Sequence, residues 1–315
     1  MHSSIFSLIK VAILFVGISG NAFADTAMPM PFSGRVERLQ DFASRYVSAR
    51  NVDIWLPPGY SDKQKYAVLY MHDGQMLFDA DTTWNKQEWR ADEVAAKLMA
   101  EGKVRPFIIV GVHNAGTGRN SEYFPQKTFY ALPKQRQQQV LSMTLADKSP
   151  LFKAQFTGDA YLKFLVSELK PYIDRHYSVH TAASDTAIMG SSRGGLISLY
   201  AIMEYPEIFG SAACISTHWP IKYDMDDNPY PEPLLAYMQS SLPDPATHRL
   251  YFDHGTETLD SFYPPLQAKA DVILRAKGYT ESNWQTREFI GADHSEKSWA
   301  ERLDIPLQFL FGVTK

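Results

Sequence analysis

Gly190, Ser191, Ser192, Arg193, Gly194 and Gly195 follow the apolar and β-branched run Thr186, Ala187, Ile188, Met189 and precede Leu196 to Met203. That pattern reads as a strand, a tight turn and a helix with Ser192 at the apex of the turn. Small residues on both sides let strand and helix approach closely, which lifts the central hydroxyl above the end of a sheet, where it can act as a nucleophile. A serine hydroxyl is almost never ionised near neutral pH. It needs a base to take its proton and an acid to orient that base.

Both partners occur downstream in the order serine, acid, histidine. The base candidate is His294, in Gly291-Ala292-Asp293-His294-Ser295-Glu296, between the last expected strand and the last expected helix. His176 and His180 flank a helix end, and His248 begins a strand. His254 and His218 lie nearer the expected cleft, and His218, in Ser216-Thr217-His218-Trp219, precedes every acid candidate and reads as a pocket or structural residue. Three acids, Asp253, Glu257 and Asp260, follow the run Leu250 to Phe252. A glycine, a short turn, the acid, then an apolar residue and a proline opening a helix select Asp260, with Gly255, Tyr263 and Pro264 in those places. Glu257 is the alternative, since either carboxylate can accept from an imidazole N–H. Asp253 reads as a brace for the strand end.

Acyl transfer through such a serine develops negative charge on the former carbonyl oxygen, and backbone N–H groups receive it. One donor is the N–H of Arg193, at the positive end of its helix. The second belongs to His72-Asp73-Gly74-Gln75 after the run Tyr66 to Met71, from Gly74 or Gln75. A metal reading of His72, Asp73 and Asp79 lacks the helical ligand spacing such a site would show.

These residues require a sheet whose strand ends converge. Short apolar runs alternate with amphipathic helical segments, which predicts an α/β fold with a mostly parallel central sheet flanked by helices. Expected strands are Val47–Trp55, Tyr66–Met71, Phe107–Val112, Thr186–Met189, Ala212–Ser216, Leu250–Phe252 and Trp284–Phe289. Expected helices are Glu88–Glu101, Asp159–His176, Gly195–Tyr205, Pro231–Ser240, Pro264–Lys277 and Ser295–Phe311. Phe164, Leu165, Leu169 and Ile173 make one apolar helix face. The stretch His113 to Phe156, polar and rich in Gln and Lys, is too long for a strand-to-helix loop and reads as a lid or a surface decoration.

The amino-terminal stretch, Met1 to Lys10, then Val11 to Ile18, then Ala22 and Ala24 before Asp25, has the form of an export signal cut after Ala24. The apolar run is shorter than the ~20 residues a bilayer span needs. The expectation is therefore residues 1–24 as a signal peptide, residues 25–315 as one domain, and a periplasmic or secreted mature protein. The chain carries 31 basic and 35 acidic residues; loss of Lys10 moves the formal charge from -4 to -5 (31 - 1 - 35). That balance suggests neither nucleic acid nor an anionic membrane as partner. The one cysteine, Cys214, lies in an apolar strand and can form no intramolecular disulfide. With 45% hydrophobic residues the mature chain can bury one large core.

His72-Asp73-Gly74-Gln75 with Leu77-Phe78-Asp79, the Gly190–Gly195 turn, and Gly291-Ala292-Asp293-His294-Ser295-Glu296 with Trp299 together resemble the "Putative esterase" family of α/β hydrolases. That family includes esterase D, enterochelin esterases, feruloyl and acetylxylan esterases and the mycolyltransferases. The resemblance runs from about Val47 to Phe311 and implies an α/β-hydrolase fold with little lid, a serine nucleophile matched by Ser192, a base matched by His294, and no cofactor. It also implies that Asn114, Arg119, Glu122, Tyr123 and Pro125 border the substrate cleft; alternatively they brace the loop, with Arg119 meeting Glu122. Trp84, Trp89, Tyr123 and Trp219 offer stacking faces for a sugar or aryl acid, and Arg193 is placed to meet an anionic ester or to pair with an acid on a neighbouring loop. The expected activity is hydrolysis of a small-molecule or carbohydrate ester. Acyl transfer to another acceptor and cleavage of a catecholate trilactone would use the same residues, and a non-catalytic binding role on this scaffold is the reading from a different class.

Overall fold

The computed structural model describes residues 27–313 except 146, 153, 154 and 223–227; the expected signal peptide lies outside the described residues. Eight strands form one sheet: β1 (Arg35–Phe42), β2 (Arg50–Leu56), β3 (Ala67–His72), β4 (Phe107–Val112), β5 (Thr186–Ser191), β6 (Ser211–Ile215), β7 (Arg249–Gly255) and β8 (Trp284–Phe289). Their spatial order is β1-β2-β4-β3-β5-β6-β7-β8. β2 runs antiparallel to β1 and β4, and every other pairing is parallel. The carboxyl ends of β3 and β5 to β8 therefore share one edge, the place where open parallel sheets build sites.

The helices in chain order are α1 (Ala91–Ala100), α2 (Arg119–Glu122), α3 (Gln126–Tyr130), α4 (Lys134–Leu141), α5 (Gly158–Phe164), α6 (Lys170–His176), α7 (Arg193–Glu204), α8 (Pro231–Ser241), α9 (Pro264–Ala276), α10 (Glu296–Ala300) and α11 (Asp304–Phe311). Two large apolar clusters sandwich the sheet. One holds Val68, Ile108, Leu196 and Phe252; the other holds Leu69, Ile109, Met189 and Leu307. Adjacent residues of one strand, such as Val68 and Leu69, fall in different clusters because successive strand side chains point to opposite faces. Cys214 is a buried strand residue in the first cluster.

All seven expected strands are present, with ends displaced by up to three residues. β1 was not expected, because its sequence Arg-Val-Glu-Arg-Leu-Gln-Asp-Phe is polar; it is an edge strand paired only with β2 and half-exposed along its length. Two expected helices are interrupted at prolines. Pro171 has no N–H for the helix ladder, and the chain widens into a π-helical turn at Leu165–Leu169, where the Lys170 N–H bonds back to the Leu165 carbonyl, before α6 continues. The apolar face of Phe164, Leu165, Leu169 and Ile173 is nevertheless buried as expected. The segment Ser295–Phe311 divides into α10 and α11 because Pro306 cannot follow on from a helix that reaches Arg302.

The stretch His113–Phe156 is not a surface decoration. It carries α2, α3 and α4 and buries Tyr123, Phe124, Phe129, Val140, Leu151, Phe152 and Phe156 in the larger core cluster. Phe124 alone meets the rings of Phe129, Phe152, Phe156 and Tyr230 at centroid distances of 4.2 to 6.2 Å.

β5 and α7 meet at a contact that leaves no room for a side chain. A Cβ at Gly190 would sit 2.8 Å from the Gly194 carbonyl carbon, and one at Gly195 would sit 3.0 Å from the Ile215 carbonyl oxygen. Gly190→Ala is therefore expected to destabilise the fold by about 1–3 kcal/mol through overpacking against backbone. Thermal unfolding checks this, and an unchanged midpoint would show that the strand and helix can separate at no cost.

Candidate active site

Ser192 sits between the last residue of β5 and the first of α7 with φ 58 and ψ -120, a conformation strained for any residue but glycine. Three backbone bonds hold it there. Its N–H donates to the Ile215 carbonyl at 2.9 Å, and its own carbonyl accepts from Leu196 at 3.1 Å and from His218 at 3.2 Å. The turn thus borrows support from β6 and from the loop that follows it.

Asp260 lies in the turn after β7 with no exposure to solvent. Its Oδ1 accepts from His294 Nδ1 at 2.5 Å, while Oδ2 accepts from the Ser216 hydroxyl and from the Gly255 N–H, both at 2.6 Å. Burial alone would push this carboxyl up; hydrogen bonding and charge from His294, with Ser216 and Gly255, outweigh burial and hold it below the usual carboxylate range. It stays ionised. Glu257, by contrast, points into solvent and serves through its backbone, its N–H meeting the Ala292 carbonyl at 3.0 Å. Asp253 is the brace expected of it, paired with Arg302 at 3.0 Å.

The loop carrying His294 is sewn to the turn after β7. Thr256 and Glu257 donate to Ala292, the Gly291 N–H meets the Thr256 hydroxyl at 2.8 Å, and the His294 N–H meets the Thr258 hydroxyl at 2.9 Å. A Cβ at Gly255 would come within 2.1 Å of the Ala292 oxygen, so glycine is required where the two loops touch. The His294 ring stands edge-on to Trp299 (5.1 Å) and to Tyr263 (5.9 Å).

Gly74 and Gln75 occupy a single 3-10 turn after β3, entered through Asp73 in the left-handed region at φ 56. A Cβ on Gly74 would overlap Gly111 of β4 at 2.4 Å, and one on Gly194 would touch the His72 Cβ at 3.4 Å and Asp73 Oδ2 at 3.5 Å. The amino end of α7, with the Arg193 N–H, therefore adjoins the turn that carries Gly74 and Gln75. Asp73 is clamped by Arg119 (Nε to Oδ1 and Nη2 to Oδ2, both 2.7 Å) and by Asn114 Nδ2 at 2.7 Å. Burial pushes its carboxyl up and the Arg119 charge more than reverses this, so it lies below the ordinary range. His72 Nδ1 bonds Tyr161, and burial drives its pKa down to about 3, so the ring is neutral. Among the described residues no three such side chains stand where they could hold a metal ion.

Several expected ligand contacts are corrected by burial. Tyr123 is 0% exposed and uses its hydroxyl to accept from the Asp73 N–H at 3.3 Å. Trp219 is 1% exposed and donates to Gln267, and His218, also 1% exposed, meets the Tyr263 hydroxyl at 2.8 Å through Nδ1. None of the three offers a face to a ligand in this structure; aromatic and imidazole groups at strand ends are equally good core. Asn114 and Arg119 keep partial exposure; Asn114 Nδ2 and Arg119 Nε and Nη2 bond Asp73, and Asn114 Oδ1 accepts from the Gly116 N–H at 2.8 Å. Arg119 and Glu122 do not meet, because Glu122 pairs with the buried Arg50 at 2.8 Å. Trp89 is buried against Trp299, and only Trp84, at 82% exposure, presents an open face. Arg193 is 2% exposed, its guanidinium donating to the Ile221 carbonyl and lying 5.1 Å from the Phe152 ring centre, which leaves little of its side chain open to an anionic ester. Sequence reasoning missed Ser216, Thr258 and Arg302, none of which carries a motif of its own.

A serine on a strained strand-to-helix turn, at the carboxyl edge of a sheet in this strand order, defines an α/β hydrolase. The chain belongs to the family described as "Putative esterase", whose sequence model matches residues 44–308, and it is a carboxylic ester hydrolase. The protein YbbA of Bacillus subtilis (strain 168) is 24% identical over 274 residues, 84% of this chain and 94% of that one. The endo-1,4-beta-xylanase/feruloyl esterase of Xylanibacter ruminicola is 24% identical over 284 residues, 88% of this chain but 31% of that larger protein. Among solved structures, a ferulic acid esterase shares the fold at TM-score 0.61 and 20% identity, covering 89% of this chain and 99% of that one. The enterobactin esterase FES from Shigella flexneri does so at TM-score 0.59 and 17% identity, covering 90% of this chain and 61% of that one.

The contrast between the two acids gives a direct test. Asp260→Asn is expected to lower kcat/KM for an aryl ester by about 10³- to 10⁴-fold, since the imidazole loses its orienting charge, whereas Glu257→Gln changes it by less than about twofold. Steady-state kinetics on both variants decides, and the reverse ranking would move the acid to Glu257.

Proposed function

We propose that this chain is an exported serine esterase in which Ser192, His294 and Asp260 act as a triad. Ser192 Oγ attacks the ester carbonyl as His294 Nε2 takes its proton, and the Asp260 carboxylate holds the imidazolium through Nδ1. The oxyanion is received by the Arg193 N–H and by the N–H of Gly74 or Gln75. His294 then protonates the leaving alcohol, and a water molecule, deprotonated by the same imidazole, cleaves the acyl-enzyme and restores Ser192. No cofactor enters these steps.

The observation that carries this reading is the 2.5 Å contact of a fully buried, ionised Asp260 with Nδ1 of a histidine that is itself only partly buried. A carboxylate spent this way leaves Nε2 as the working nitrogen. The substrate class that fits best is a small-molecule or carbohydrate ester of an aryl acid. The relatives named for feruloyl and ferulic acid ester cleavage support it, as does the exposed indole of Trp84 on a loop whose neighbour Asn85 donates to Glu296, two residues from His294, at 2.8 Å. No helix among the described residues is long and apolar enough to cross a membrane. Export, to the periplasm or beyond, rests on the pattern of residues 1–24, and the mature chain is expected to begin at Asp25.

Release of p-nitrophenol from short acyl esters, followed by feruloylated and acetylated sugars, tests the activity. Ser192→Ala is expected to lose on the order of 10⁴-fold or more in kcat while unfolding at the temperature of the parent. Turnover that survives this substitution would overturn the mechanism, and intact-mass analysis of the exported chain checks the cut after Ala24.

A further inference from the structure

Ser216 follows β6 at a φ of 42, a backbone conformation unfavourable for serine, so something other than local preference keeps it in place. Its N–H donates to the Asp253 carbonyl at 2.9 Å, which turns the side chain toward the site. A hydroxyl has one proton to donate and two lone pairs to accept with. Here both lone pairs face groups that can only donate: Trp299 Nε1 at 3.0 Å and Arg302 Nη2 at 2.9 Å. The proton is left with one direction, toward Asp260 Oδ2 at 2.6 Å.

Arg302 is itself fixed. Its Nη2 also meets Asp253 Oδ1 at 3.0 Å, its Nε meets Oδ2 at 3.3 Å, its Nη1 donates to the Ser298 carbonyl at 3.1 Å, and its guanidinium lies 4.9 Å from the Phe289 ring centre. Trp299 is wedged between the rings of Trp89 and His294. The three donors and acceptors thus come from the end of β6, the helix α10 and the second residue after it, with β7 supplying the counter-charge.

We infer that Ser216 is a positioning residue for the ester-cleaving site: Trp299 and Arg302 polarise its hydroxyl, which in turn fixes the plane and the charge of the Asp260 carboxylate and so the aim of His294. This rests on the triad reading above. With the hydroxyl donating, part of the negative charge on Asp260 is drawn to Oδ2 and away from the imidazole. Removing it leaves more charge on Oδ1, strengthens the hold on a protonated imidazole, and loosens the geometry. The titratable and charged groups that face this corner are Asp253 and Tyr251 from β7, Asp260 and Tyr263 from the turn after it, His218 from the loop after β6, Arg302 after α10, and Asp293 and Glu296 on either side of His294.

Ser216→Gly removes the hydroxyl while suiting the backbone, since glycine adopts positive φ freely. A role confined to folding would be met by that variant; the relay would not. The expectation is a loss of about 10- to 100-fold in kcat with KM within about twofold, and an acid limb of the kcat/KM profile displaced upward by about half a pH unit or more. Trp299→Phe keeps the ring packing and removes one N–H, so it should move kcat and the acid limb in the same directions by smaller amounts, and it decides the matter if Ser216→Gly does not fold. Wild-type kcat and pH profile in the folded variants would overturn the inference. Ser192→Ala run beside them separates the two readings: activity surviving there overturns the triad, whereas an inactive Ser192→Ala beside unaffected Ser216→Gly and Trp299→Phe overturns only the relay.

Discussion

A carboxylate cut off from water, Asp260, is the constraint that orders the carboxyl edge of the sheet. A buried charge is tolerated only when its lone pairs are used, because burial without partners costs several kcal/mol. Asp260 meets that requirement with donors from three separate places: Gly255 at the end of β7, Ser216 at the end of β6 and His294 after β8. Each donor needs its own loop to be in register. The tight stitching of Thr256, Glu257 and Thr258 to Gly291, Ala292 and His294, and the ion pair of Arg302 with Asp253, follow from that demand rather than from any contact with a ligand.

The opposite wall is organised around a second charge. Asp73, held in a left-handed turn by Arg119, Asn114 and Tyr123, fixes the turn of Gly74 and Gln75 against Gly111 on one side and Gly194 on the other. The segment that supplies Asn114, Arg119 and Tyr123 is the one whose composition reads as solvent-facing. Tyr123, Phe124, Phe129, Phe152 and Phe156 join the core while Lys134, Gln135 and Gln138 lie exposed on α4, so its average polarity misrepresents its position.

The turns that carry the candidate site were more legible in the sequence than the packing around them. Gly190 and Gly194 around Ser192 and the loop of His294 are local patterns with a steric cause, and the strands that carry them have clean apolar runs. The spacing from Gly255 to Pro264 that favours Asp260 over Glu257 as the acid candidate matches a 3-10 turn that buries Asp260 and leaves Glu257 exposed. What could not be read was burial among aromatic and imidazole groups. Tyr123, His218 and Trp219 sit close to the site in sequence terms, yet all three are buried, with the Tyr123 hydroxyl, His218 Nδ1 and Trp219 Nε1 bonded to Asp73, Tyr263 and Gln267, and only three-dimensional packing reveals it. β1 was illegible for a related reason: an edge strand needs no apolar alternation when neither face is fully covered. Ser216 escaped because a lone serine after a strand has no signature until its four partners are assembled around it.

The φ of 58 at Ser192 also limits what evolution can place there. Threonine carries the same hydroxyl, but a β-branched side chain is a steric outlier at positive φ, so the turn that exposes the proposed nucleophile also bars its nearest chemical relative. Cysteine has no such branch. Drift at this position is therefore open toward sulfur and closed toward a secondary alcohol, a restriction set by backbone geometry before any substrate arrives.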